Sequence, residues 1–292
     1  MSKLNVGIVG AHGFLGKNLI KKLDKNFYNI FRISIRDERI SLNSSEIDLN
    51  QIKKIFSSLN IIIDCSNPQY HENDNIKFMT DAKNFCKLME SLNISKDCNY
   101  ILISSVSIFD PKLKIIDAKS IPDPKNYYGL SKLYKENWIK NNMYQNSRIN
   151  KYNIIRPSGI VGLEMPNTFI KRSVDKALKN IDLEVFSNES MFNGIIYITN
   201  LVEIIISMFY ENKKVLTLGS KEPISLELLM QIIKKFTNSN SKIVANYLGR
   251  SPYTIDESAW KGKEDYLKNT KSSLLLFLKD YLGNFSYNIS NK

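Results

Sequence analysis

Tyr128 and Lys132 stand four residues apart in Asn126-Tyr-Tyr128-Gly-Leu-Ser-Lys132. On a helix that spacing puts both side chains on one face. A phenol with a pKa of about 10 is a poor proton shuttle at neutral pH, and a neighbouring ammonium would stabilise its phenolate. Such a pair could move a proton to a carbonyl oxygen or from an alcohol. Tyr127 and Tyr134 lie five and two residues from Lys132, so neither shares its face as well. In a chain with 15 tyrosines the spacing alone is common, so its meaning depends on what surrounds it.

The N-terminal segment supplies the first of those surroundings. The apolar run Leu4–Val9 reads as a buried strand, Gly10-Ala-His-Gly13-Phe-Leu-Gly16 follows, and Leu15, Leu19, Ile20 and Leu23 mark the apolar face of a helix. Strand, glycine turn and helix together form an anion site, because the helix N-terminus offers free N–H groups and the glycines let backbone approach a pyrophosphate. Gly10, Gly13, Phe14, Leu15 and Gly16 are therefore expected to cradle a dinucleotide. His12, a lone loop imidazole, is read as a bystander. The second strand, Ile30–Ile35, ends in Arg36-Asp37. Arg36 would pair with the 2′-phosphate of NADP, whereas an acidic residue there would take the ribose hydroxyls of NAD. The reading favours NADP, and Asp37 keeps NAD open.

Strand-like runs at Leu4–Val9, Ile30–Ile35, Ile61–Cys65, Tyr100–Ser104 and Asn153–Arg156 alternate with helical patterns at Leu15–Leu23, Leu49–Ser57, Ile76–Leu92 and Tyr128–Asn141. That alternation predicts an α/β Rossmann domain, a doubly wound parallel sheet covered on both faces. The expected division is 1–162 with 194–219 returning to it, and a smaller substrate-binding part from 163–193 and 220–292. The composition is globular, with 43% hydrophobic and 24% charged residues. No apolar run is long enough for a membrane span, and the N-terminus enters a strand at once, leaving no room for a signal peptide. Cys65, Cys86 and Cys98 show no metal-ligand spacing, so no metal is expected and a reducing cytoplasm fits. The net charge of +12 suits an anionic nucleotide ligand. Its lysines are dispersed and no nucleic-acid motif accompanies them, which argues against a nucleic-acid partner.

The Gly-x-x-Gly-x-x-Gly loop and Tyr128-Gly-Leu-Ser-Lys132 resemble the extended short-chain dehydrogenase/reductase family, of the NAD-dependent epimerase/dehydratase, nucleotide-sugar modifying type. Tyr100–Asp110, Ile154-Ile-Arg156-Pro157, Tyr197–Glu203 and Gly249-Arg250-Ser-Pro extend the likeness. The resemblance implies a third catalytic hydroxyl at Ser105, or at Ser104 if the register slips by one. It implies that Lys132 also bonds the nicotinamide ribose, that Asp48 with Leu49 meets the adenine, and that Pro157 lies beside the nicotinamide. Substrate contacts are expected at Ser107, Arg172 and Arg250. Two positions depart from the family: Phe78 stands where an Asn often supports the site, and Gly159 where an Asn often meets the diphosphate. Ser107 replaces the Cys of coupled 3,5-epimerases, and Val106 with Ser107 replaces the acidic pair of dehydratases. The implied activity is NADPH-dependent reduction of a nucleotide-linked 4-keto sugar, serving cell-surface polysaccharide biosynthesis. A 4-epimerase with tightly bound NAD and a non-catalytic NADP-sensing regulator are the alternatives. The implied partner is the nucleotide-sugar itself, and a homodimer is compatible.

Overall fold

The computed structural model describes residues 2–36, 39–43, 45–67, 76–187, 189–246 and 251–290; the side chains of 36, 39, 40 and 284–290 lie outside that description. Two compact units emerge, the first made of 1–110, 121–156 and 202–216, the second of 111–120, 157–201 and 217–292. The second unit takes more chain than the sequence pattern assigns to it. Gly159–Val161 pairs in parallel with Ile195–Tyr197, and Ile115–Ile116 with Thr254–Ile255. Pairings of such short strands leave no periodicity to read.

The first unit is built on β1 (Leu4–Val9), β2 (Tyr28–Arg36), β3 (Arg39–Leu42), β4 (Ser45–Glu46), β5 (Ile61–Asp64), β6 (Asn99–Ile103), β7 (Lys151–Pro157) and β8 (Lys214–Leu218). They form one sheet in the order β8-β7-β6-β5-β1-β2-β3-β4. β2, β1, β5, β6 and β7 run parallel, while β3 and β4 fold back antiparallel at one edge. β5 and β6 are buried along their whole length, as expected where helices cover both faces. Helices α1 (Phe14–Lys22), α2 (Leu49–Ser58), α3 (Lys77–Ser91) and α4 (Tyr127–Trp138) alternate with these strands. Val9, Ile33, Ile62, Tyr100, Leu102 and Ile154 from the sheet pack with Ile52 and Phe56 of α2, Phe85, Cys86 and Met89 of α3, and Trp138. Side chains of the opposite parity, Ile8, Ile63 and Ile101, are equally buried.

Local chemistry fixes the helix starts. Asp48 caps α2 with a reciprocal box to Gln51, and Asn126 caps α4 by accepting the Gly129 N–H. After Trp138 the helix continues as a wider π-turn over Ile139–Tyr144, so the regular α-helix stops short of the expected Asn141. At the far side of the sheet, buried Asn99 and Asn153 donate side-chain N–H bonds to the carbonyls of Met208 and Glu211, and Asn153 accepts the Lys214 N–H at 3.0 Å. These bonds anchor the approach to β8.

Among the described residues the second unit holds α5 (Phe169–Leu178), α7 (Leu226–Thr237), α8 (Thr270–Ser290) and four two-stranded pairs; α6 (Ile198–Ser207) runs from its chain segment into that of the first. Buried Asn193 clamps Ile255 through both its N–H (2.7 Å) and its carbonyl (2.9 Å).

Candidate active site

The strand order reverses between β1 and β5, since β1 leads outward to β2 while β5 begins the other half. Ligands of open parallel sheets bind at the carboxyl ends of strands at such a switch point. The loops leaving β1 and β5 touch there. Gly10 has φ +82°, and a Cβ on it would lie 3.0 Å from the Cys65 carbonyl carbon and 3.1 Å from Ser66 N. A Cβ on Gly16 would lie 2.5 Å from Gly10 O. These glycines keep strand, turn and α1 pressed together. First-turn N–H groups, Phe14 and Leu15 among them, have no acceptor in their own helix. Gly13 heads that helix without a side-chain cap. The cradle suits a diphosphate.

α4 delivers Tyr128 and Lys132 to the same end of the sheet. A Cβ on Gly129 would lie 2.1 Å from Ser107 O, so only glycine lets this helix dock on the turn after β6. Lys132 Nζ sits 5.8 Å from the centroid of the Tyr128 ring. Lys132 is 3% exposed and donates to Ile103 O (3.0 Å) and Ser66 O (3.2 Å). The side chains of Ser105 and Asn67 hydrogen-bond with the Tyr128 hydroxyl, and the Phe78 ring packs edge-on at 5.8 Å. Ser105 is thus the hydroxyl brought to Tyr128; its Oγ also accepts the Ser107 N–H at 3.1 Å. Ser104 Oγ is buried and finds no partner among the described residues.

The electrostatics differ from the sequence expectation. Burial raises the Tyr128 pKa above that of a free phenol, with Ser105 and Asn67 pulling the other way. Lys132 is not the group that offsets burial. Burial first, then the Lys135 ammonium, push Lys132 itself down to about 7, against the pull of Asp64, Cys65 and Glu136.

Four residues here escaped the sequence reading: Asp64, Ser66, Asn67 and Lys135. Lys135 Nζ lies 3.1 Å from Asp64 Oδ2, 2.7 Å from Ser66 Oγ and 3.7 Å from the centroid of the Phe85 ring. The Tyr100 hydroxyl donates to Asp64 Oδ2 at 3.2 Å. Burial alone would raise the Asp64 pKa, but Lys135, Ser66 and Lys132 outweigh it and hold the carboxyl below its ordinary range. The signal was available, because Tyr128, Lys132 and Lys135 recur at i, i+4 and i+7 on one helix face. Beside them Glu136 and Arg156 form a buried two-pronged ion pair, Nε at 2.9 Å and Nη2 at 2.6 Å.

The remaining expected residues fall as follows. Asp48 caps α2, both bonds ending on Oδ1, and Leu49 opens that helix partly exposed. Pro157 closes β7. Ser107 enters the scaffold through its backbone, against Gly129. Arg172 is exposed on α5 and donates to Asn167 O at 3.1 Å. The Arg36 side chain, Asp37 and Arg250 lie outside the described residues.

Residues 6–219 match the NAD dependent epimerase/dehydratase family. The chain belongs to that family. As a member it is an NAD(P)-dependent enzyme, and solved structures share its fold. UDP-glucuronic acid 4-epimerase from Bacillus cereus, in complex with UDP-glucuronic acid and NAD, is 16% identical, with a TM-score of 0.75 over 97% of this chain and 100% of that one. A dTDP-4-dehydrorhamnose reductase from Clostridium acetobutylicum is 18% identical, TM-score 0.73, over 94% and 99% of the two chains. The corresponding reductase from Bacillus anthracis, in complex with NADP, is 19% identical, TM-score 0.69, over 95% and 98%. Comparison with curated proteins finds no match.

Asn67 is the new neighbour of the Tyr128 hydroxyl. Losing one neutral hydrogen bond costs about 1 kcal/mol, so Asn67→Ala is expected to lower turnover roughly fivefold. Because Asn67 favours the phenolate, its loss should also move the alkaline limb of the rate profile to higher pH. Wild-type turnover and an unmoved limb would remove Asn67 from the site.

Proposed function

We propose that this enzyme reduces the 4-keto group of a nucleotide-linked sugar with NADPH. The observation that carries the reading is the Tyr128 side chain, brought to Ser105 and to Lys132, 5.8 Å from its ring, beside the glycine cradle. Reducing a ketone calls for a proton donor at the carbonyl oxygen, whereas an epimerase must first remove a proton from an alcohol. Arg36 at the end of β2 favours the first task, because net reduction draws on exchangeable NADPH. Nicotinamide, when bound, supplies the hydride. Ser105 would bond the same carbonyl oxygen, and Lys132 would hold the nicotinamide ribose. Gly10, Gly13, Phe14, Leu15 and Gly16 would take the diphosphate, Asp48 and Leu49 the adenine, Pro157 the nicotinamide side, and Arg36 the 2′-phosphate. Ser107, Arg172 and Arg250 are proposed to meet the substrate. Among the described residues no helix is long and apolar enough to cross a membrane, which is compatible with a cytoplasmic supplier of sugars for cell-surface polysaccharide.

The test pairs binding with turnover. NADPH and NADH are titrated into wild type and Arg36→Ala, where losing a charged contact to the 2′-phosphate should cost about 1.5–3 kcal/mol of NADPH binding. Stoichiometric NADPH oxidation is then sought with dTDP-4-dehydrorhamnose, the ketone in the reductases' names. Equal affinity for both cofactors overturns the NADP assignment. Interconversion of UDP-glucose without net cofactor consumption would make the protein a 4-epimerase. NADP retention without turnover of any ketone would make it a sensor.

A further inference from the structure

Beneath Tyr128 and Lys132 lies a buried polar cluster whose members have no place in proton transfer as described. Asp64 closes β5 and is wholly buried; Lys135 reaches it from α4 with 5% of its surface exposed. Ser66 sits between them. Its N–H and its hydroxyl both donate to Asp64 Oδ1, at 2.9 and 2.6 Å, while Lys135 Nζ donates to Ser66 Oγ at 2.7 Å. The carbonyl of that same Ser66 accepts from Lys132, and the next side chain, Asn67, bonds with the Tyr128 hydroxyl.

We propose that Lys135 and Asp64 are positioning residues: their ion pair clamps the Ser66–Asn67 turn against Lys132 and Tyr128 and sets the field in which Lys132 carries its charge. The inference rests on the reading of Tyr128 as the acid and Lys132 as its partner. A turn entering the site from a strand end has few bonds of its own to hold it. Here three short hydrogen bonds converge on Ser66, and two of them end on a carboxylate, the stronger kind. The pair also costs more to bury than a plain core contact, which argues against a filler role. The titratable groups facing Lys132 are Asp64 and Cys65 from β5 and the turn after it, the Cys65 thiol held neutral by burial and by Asp64, and Lys135 and Glu136 on its own helix, with Glu136 paired to Arg156 of β7. From β6 and α3, Tyr100 and Cys86 face Asp64. Of these, Lys135 pushes Lys132 toward neutrality most strongly, and Asp64 opposes it.

The test reads Lys132 directly. In the ligand-free protein carrying lysine labelled with ¹³C at Cε, the Lys132 signal, assigned by its loss in Lys132→Arg, is followed against pH by NMR. Lys135→Gln is expected to move the midpoint up by about one pH unit, and Asp64→Asn to move it down. Midpoints that stay put, or that move in the same direction in both variants, overturn the proposal; a merely structural cluster would change stability alone. Where a single variant fails to fold, Asp64→Asn with Lys135→Gln removes both charges and keeps amide hydrogen bonding. Its midpoint should then lie above wild type, and an unmoved midpoint again overturns the proposal. None of these readings needs turnover. Failure of the acid assignment would show separately, as full activity in Tyr128→Phe.

Discussion

Tyr128→Phe is expected to lower turnover by about 10²- to 10⁴-fold, the range of a general acid's contribution, while NADPH still binds and the melting temperature changes little. The substitution removes one oxygen. The ring keeps its edge-on contact with Phe78 and its place 5.8 Å from Lys132. What disappears is the proton and its bonds with Ser105 and Asn67. The glycine cradle and Lys132 are untouched, so a fluorescence titration with NADPH should give the wild-type affinity. Loss of turnover with binding retained identifies an interaction made only in the transition state. Near-normal turnover in a protein that still binds the cofactor would overturn the mechanism.

Glu136→Ala is expected to destabilise the fold by about 3–5 kcal/mol, the cost of leaving a buried charge without its partner. Glu136 is fully buried and Arg156 only 9% exposed. Both prongs of the guanidinium end on the one carboxylate, and the Phe109 ring, 5.4 Å from it, offers no acceptor of comparable strength. Domains are stable by only about 5–15 kcal/mol in total, so the urea midpoint should fall steeply with little change in slope. Replacing both partners by apolar residues, Glu136→Leu with Arg156→Met, should recover much of the loss, because no unpaired charge then remains. A loss below about 1 kcal/mol in Glu136→Ala would show that water reaches Arg156.

The elements were legible where pattern and packing agree. The expected strand Leu4–Val9 is β1, and the run Tyr100–Ser104 is β6 displaced by one residue. The Tyr128–Lys132 face follows from helical spacing, and Gly129 belongs to that motif for a reason no spacing reveals, the carbonyl of Ser107 pressed against it. Less legible was everything settled by tertiary contact. Asp64 and Lys135 are 71 residues apart, and a carboxylate ending an Ile-Ile-Ile run reads as a strand boundary until its partner is seen. Asn67 sits in a turn with no periodicity. Charge spacing alone points to a lowered Tyr128 pKa, whereas burial, the larger influence, raises it. The short strand pairs of the second unit are too brief for alternation to show, so its boundary could not be drawn from pattern.

The place of β8 in the sheet has a consequence for biosynthesis. β7 borders β8, and β8 is translated only after all of residues 158–213. While that stretch emerges from the ribosome, β7 presents an open rim of backbone carrying Ile154 and Ile155, a template for pairing with foreign chains. The amides of Asn99 and Asn153 meanwhile lack the Met208 and Glu211 carbonyls that later receive them. The sheet's last edge therefore closes only when Leu218 is out. A ribosome stalled between the two strands would hold a nascent chain in need of a chaperone.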